Sequence, residues 1–154
     1  FHYAGAGQPP QSFWGDIARR MATWDAKTSS SNLNLPDLAS RRDVSHIQDV
    51  LSAYERLLQD GRPNETYNIC SGHALTCREI VGLMVQEFGL PLDLEQQHDA
   101  DGTAPLPVLW GDHTKLKTEL GWQPTHSAQD AIRELVHSYR KTPQPIGNRI
   151  GRDG

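Results

Sequence analysis

Only two cysteines, Cys70 and Cys77, occur in 154 residues. They do not share a C-x-x-C spacing, so neither a disulfide framework nor a zinc knuckle is written here. The seven histidines are scattered and show no metal-ligand spacing, and no metal is expected. Excess positive charge is also missing. The 15 Lys and Arg residues face 19 Asp and Glu, which leaves a net charge of −4. A basic surface for nucleic acid is excluded. No apolar run approaches the roughly 20 residues that cross a bilayer, so no membrane partner is expected. No signal peptide is visible, and a reducing cytoplasmic setting is expected. The sequence opens on Phe1 rather than Met, which suggests a processed product or a piece of a longer polypeptide.

What is present is an ordinary globular composition, 36% hydrophobic and 22% charged. Residues 1–11, broken by Gly5, Gly7, Pro9 and Pro10, read as a loop. Ser12 is placed to cap a helix over 13–26, with Phe13, Ile17, Met21 and Trp24 on one side. A short strand is expected near Leu33 to Leu35. Ile47, Val50, Leu51, Tyr54, Leu57 and Leu58 recur at helical spacing before Gly61 and predict a helix with a buried stripe. Thr66 to Cys70 reads as a strand. Thr76 and Glu79 form a capping box, and Gly89 suits the end of that helix. Leu92 to Gln96 reads as another strand and 98–107 as a loop. A short helix over 113–120 and a last helix from Ser127 complete a mixed α/β pattern, richer in helix than strand. The expected domain spans 1–141, with a tail over 142–154.

Several strings occur together in a telling order. Arg42-Asp43-Val44-Ser45-His46-Ile47-Gln48-Asp49 is followed four residues later by Ala53. Tyr67-Asn68-Ile69-Cys70-Ser71-Gly72 comes next. Gly111-Asp112, Lys115 and Leu120-Gly121-Trp122 with Pro124 close the series, and Phe1 to Gln8 opens it. This order resembles the C-terminal, substrate-binding part of extended short-chain dehydrogenases, the NAD-dependent epimerase/dehydratase family that acts on nucleotide sugars. The Cys-Ser-Gly ending and the Gly-Gln of the first loop resemble the GDP-mannose branch, its 4,6-dehydratases and the GDP-4-keto-6-deoxymannose reductases.

The resemblance implies the C-terminal half of an extended Rossmann-type fold, without the nucleotide-binding half. It implies a GDP-sugar as ligand. Arg42 would contact the diphosphate, because a guanidinium offers a fixed fork of donors to phosphate oxygens. His2 and Gln8 lie at substrate positions of the first loop, although His2 stands where the family usually has Asn. Asp43, His46 and Asp49 are expected to orient the strand and cap the following helix. Asn68 is expected to hold a turn, Asp112 to cap the helix containing Lys115, and Trp122 to plug the core.

The pattern also departs from the family. A Tyr-x-x-x-Lys pair, in which the ammonium lowers the tyrosine pKa, is absent: Gly7, Leu58, Ser71 and Pro143 stand four residues after the four tyrosines. No Gly-x-x-Gly-x-x-Gly turn is present, so this chain is expected to bind no NAD(P) alone, whereas a complete enzyme would use it. Thr103-Ala104-Pro105-Leu106 stands where the family often has Arg-Pro-x-(Asp/Glu). A lost Arg there removes a contact of about 1.5–3 kcal/mol. Two readings follow. One is a substrate-binding half that works with its missing Rossmann half. The other is a non-enzymatic relic or regulatory subunit acting through a protein partner.

Overall fold

A computed structural model describes residues 1–24, 33, 35, 37–94 and 108–141. Strand β1 (His2–Ala4) leads through helix α1 (Phe13–Ala22) to β2 (Arg41–His46). Helix α2 (Ile47–Asp60), strand β3 (Ala74–Thr76) and helix α3 (Cys77–Phe88) follow. Helices α4 (Thr114–Leu120) and α5 (Ala128–Lys141) close the described chain. The strand order is β1-β2-β3. β1 and β2 run parallel with His2 opposite Val44, and parallel neighbours need a crossover such as α1 supplies. β3 runs antiparallel to β2, with Leu75 opposite Arg42.

Local chemistry sets the helix ends. Ser12 accepts from Gly15 N–H and caps α1. α1 stops at Ala22, short of the expected 26, where the Thr23 N–H closes on Arg19 O. Thr76 and Glu79 form the complete capping box of α3, and Gly89, at φ 68°, closes it in the left-handed conformation. Ser127 opens α5 by sharing its hydroxyl with the Asp130 N–H.

The main core gathers Trp14, Ile17 and Met21 of α1, Ile80 and Met84 of α3, and Ile132 and Leu135 of α5 around Ala4 and Val44. Each such apolar side chain, fully buried, contributes roughly 1.5–3 kcal/mol. A smaller cluster joins Ala53 of α2 to Leu116 and Trp122. Leu33 and Leu35 are buried, but the strand expected between them lies outside the described residues.

Four expectations need correction. His2–Ala4, read as loop, is a strand because β2 offers it a ladder. Thr66–Cys70 is not a strand. Its backbone has no ladder partner and is held instead by side chains, as when Lys115 Nζ donates to Thr66 O at 3.0 Å. Leu92–Leu94 forms no strand either, and residues 95 and 96 lie outside the described set. The stripe of α2 is not buried. Only Asp49 and Ala53 of that helix are, while Leu51, Tyr54 and Leu58 face outward. Small Ala53, one turn after Asp49, is what lets α2 approach Trp122 closely.

Candidate functional site

The register of β1 and β2 decides which predicted residues meet. Paired residues share a face of the sheet, as do residues two apart along a strand. His2 pairs with Val44, so Arg42 and His2 lie on one face. Arg42 lies near enough to disfavour a charge on His2. Burial first, then the Arg42 guanidinium, hold that imidazole below its ordinary pKa. Arg42 is half-buried, and among the described residues its guanidinium makes one hydrogen bond, Nη1 to Arg41 O at 2.8 Å.

Asp43 points to the opposite face and is fully buried. It anchors the strand that carries Arg42. Its Oδ1 accepts from Ser71 N at 2.8 Å and Ser71 Oγ at 2.6 Å. Its Oδ2 accepts from Gly72 N at 2.9 Å and Gly111 N at 3.3 Å. Two segments far apart in the chain, Ser71-Gly72 and Gly111, converge on one carboxylate. Leu109 continues the arrangement, since its carbonyl accepts from Asp43 N and its N–H donates to Arg41 O. Nearby Cys70 is buried, and burial, then the Asp43 charge, push its thiol up to about 11, so it stays protonated.

His46 and Asp49 serve the junction of β2, α2 and α5. His46 caps α2: its Nδ1 accepts from Gln48 N at 3.1 Å. That makes Nε2 the protonated nitrogen of the neutral ring. Nε2 lies 3.3 Å from Glu134 Oε2, though without the alignment of a hydrogen bond. Asp49, expected to cap its own helix, reaches away instead. It accepts from Thr125 N, Thr125 Oγ1 and His126 N, and lies 2.8 Å from His126 Nδ1. The reason is that His46 already occupies the cap. The His126 ring stacks on His46 with centroids 4.3 Å apart.

Asn68 does not hold its own turn. Its Nδ2 donates to Asp112 O, 44 positions away, at 3.2 Å. Asp112 accepts from Thr114 N at the start of α4. Trp122 is buried and donates from Nε1 to Ser52 Oγ at 2.9 Å. Gln8 is not brought to Arg42. Its Nε2 donates back to Tyr3 O and its backbone carbonyl accepts from Tyr139 OH, so it braces the loop after β1. Ser71, Gly111 and His126 were missed as partners in these networks. The first two sat inside recognised strings, but no spacing showed that they would meet Asp43.

Residues 1–135 match the family model described as GDP-mannose 4,6 dehydratase. The chain belongs to this family. GDP-6-deoxy-D-mannose reductase from Pseudomonas aeruginosa is 29% identical over 139 residues, which are 90% of this chain and 46% of that protein. The dTDP-6-deoxy-L-talose 4-dehydrogenase (NAD(P)(+)) of Kitasatospora kifunensis is 32% identical over 141 residues, 90% of this chain and 44% of the relative. The solved structure of RMD from Pseudomonas aeruginosa, complexed with NADPH, superposes with a TM-score of 0.78 at 28% identity. The match covers 92% of this chain and 46% of that one. The chain thus spans about half the length of the relatives it matches. Its mixed α/β fold is that of the corresponding part of extended short-chain dehydrogenases.

The dTDP-6-deoxy-L-talose 4-dehydrogenase is named for NAD(P)(+), and the RMD structure holds NADPH. Among the described glycines with positive φ, Gly7 and Gly72 turn separate loops, and Gly89 and Gly121 end separate helices. They do not gather into a phosphate-binding turn. No chemical step through the cofactor is assigned to this chain. No group of three or more His, Cys, Asp or Glu side chains among the described residues could hold a metal ion. None of the described helices is long and apolar enough to cross a membrane.

Proposed function

We propose that this chain supplies the nucleotide-sugar-binding half of an NAD(P)-dependent sugar-nucleotide dehydratase or reductase, and that its ligand is a GDP-sugar. The observation that carries this reading is the placement of Arg42. Its strand is pinned by Asp43, its guanidinium keeps most of its donors unused among the described residues, and the neutralised His2 ring shares its face. A preorganised guanidinium fork loses little entropy when it takes phosphate oxygens. The GDP-sugar preference follows the family and the reductase relative. The reaction is assigned to groups outside this sequence, which has no Tyr-x-x-x-Lys pair.

Calorimetric titration with GDP-mannose tests the assignment. The wild-type chain should bind, and Arg42→Ala should weaken binding tenfold or more, the loss of one charge-assisted contact of about 1.5–3 kcal/mol. Equal binding by Arg42→Ala overturns the role of Arg42. Turnover of a GDP-sugar by the purified chain with NADPH overturns its assignment as a binding half alone.

A second surface favours a protein partner. β1 is an edge strand of the sheet among the described residues, Tyr3 on it is exposed, and Leu51, Tyr54 and Leu58 of α2 lie open. Exposed apolar patches of this kind mark interaction sites. A nucleotide-binding half that adds strands at the β1 edge is the partner this reading assigns to it.

A further inference from the structure

A cleft of about 880 Å³ opens beside β2, lined by Arg41 and not by Arg42. Successive residues of a strand point to opposite faces, so the cleft receives the side chain that β2 turns away from His2. Its charge sets it apart from the rest of the chain. The sequence carries 19 acidic residues against 15 basic, but none of the described residues lining the cleft is Asp or Glu. Arg41, His73 and His126 line it instead. His126 lies 2.8 Å from Asp49, which balances its charge. The exposed Arg41 guanidinium is braced by Ala74, whose carbonyl accepts from Nη2 at 2.7 Å. Glu79, close enough to feel the Arg41 charge, is taken up by the Thr76 N–H and hydroxyl. Arg41 is therefore the cation that a ligand in the cleft would meet.

The cleft also has a flat apolar wall. Trp110 and Val108 line it, and Trp110 is 59% exposed. Between them Leu109 pairs with Arg42 in a parallel bridge, so the backbone is fixed while the indole stands open. The floor is fixed as well, because Asp43 holds the Ser71 and Gly72 N–H groups and both residues line the cleft. Concave sites of roughly 300–1,000 Å³ that join an apolar wall to a few placed polar groups suit small molecules. A guanidinium fork matches a carboxylate with two parallel hydrogen bonds, and an indole offers its face to another flat ring. We propose that this cleft binds a small aromatic carboxylate, its ring against Trp110 and its carboxylate on the Arg41 guanidinium. The site is separate from the nucleotide-sugar reading and does not depend on Arg42.

The test is calorimetric titration of the chain with 1-naphthoate, with 1-naphthamide, which keeps the ring without the charge, and with acetate, which keeps the charge without the ring. Wild type should bind 1-naphthoate about tenfold or more tighter than either of the others. Arg41→Gln should bring 1-naphthoate down to the affinity of the amide. Trp110→Ala should weaken 1-naphthoate and 1-naphthamide alike, by about tenfold, and Trp110→Phe should restore most of the loss. Both side chains are exposed, so the melting temperatures of these variants should stay near wild type, which separates lost binding from lost folding. Arg42→Ala should bind 1-naphthoate as wild type does, and GDP should not displace it. A wild-type chain that takes up no 1-naphthoate at millimolar concentration overturns the proposal. So does an affinity unchanged by either Arg41→Gln or Trp110→Ala. Displacement by GDP, or loss of binding in Arg42→Ala, puts the aromatic acid on the Arg42 face and overturns it as well.

Discussion

At the scale of single residues, Asp43 ties segments far apart in the chain through one carboxylate. A buried carboxylate is costly unless its oxygens are filled, and here three backbone N–H groups and one hydroxyl fill them. Removing it strands the Ser71, Gly72 and Gly111 N–H groups, at roughly 1–3 kcal/mol for each one left buried and unpaired. Asp43→Ala should therefore lower unfolding free energy by about 3 kcal/mol or more in urea denaturation. A loss below about 1 kcal/mol means the two loops hold to the strand without it. Arg42, next in sequence, makes few contacts of its own and should change stability little while changing binding. On the proposed function, the two neighbours thus separate into an anchor and a binding group.

At the scale of elements, the joint between α2 and α5 is a titratable clasp. Burial pushes the Asp49 carboxyl up, but the hydrogen bonds from His126 and Thr125 outweigh this and hold it below 3.8. The same bond to Asp49 raises His126 above 6.5. A lowered carboxylate stabilises above its unfolded pKa and loses that contribution as pH falls through the folded value. A raised histidine stabilises below its unfolded pKa and loses that contribution as pH rises through the folded value. The clasp is therefore strongest between pH 3.8 and 6.5. Unfolding free energy should decline from pH 6.5 towards 9, and His126→Ala should flatten that decline. The same slope in wild type and variant would remove His126 from the account.

At the scale of the molecule, the apolar surface is divided unevenly. The core around Trp14, Met84 and Ile132 is closed, whereas α2 turns Leu51, Tyr54 and Leu58 to the outside, Leu58 at 89% exposure. A substitution at a site without contacts changes stability by about 0.5 kcal/mol or less. Leu58→Lys should therefore leave the urea midpoint nearly unchanged and reduce any concentration-dependent association seen by sedimentation velocity. A loss above about 1.5 kcal/mol would mean that the outer face of α2 is covered within this chain.

The sequence by itself determined the family, most helices and several helix ends. Caps and periodicity are local: Ser12, the Thr76–Glu79 box and Gly89 act within a few residues of themselves, so they can be read without the fold. The motif order survived for the same reason, being a one-dimensional property. What the tertiary structure decided is pairing. Short strands such as His2–Ala4 exist only because a neighbour completes their hydrogen bonds, and Thr66–Cys70 fails for want of one. The α2 stripe looked buried because periodicity shows which side chains share a face but not what lies against that face. Asp49 reached for Thr125 and His126, more than 70 positions away, because His46 had already filled the helix cap. The shared face of Arg42, His2 and Val44 likewise depends on parallel register, and register is set by partners distant along the chain.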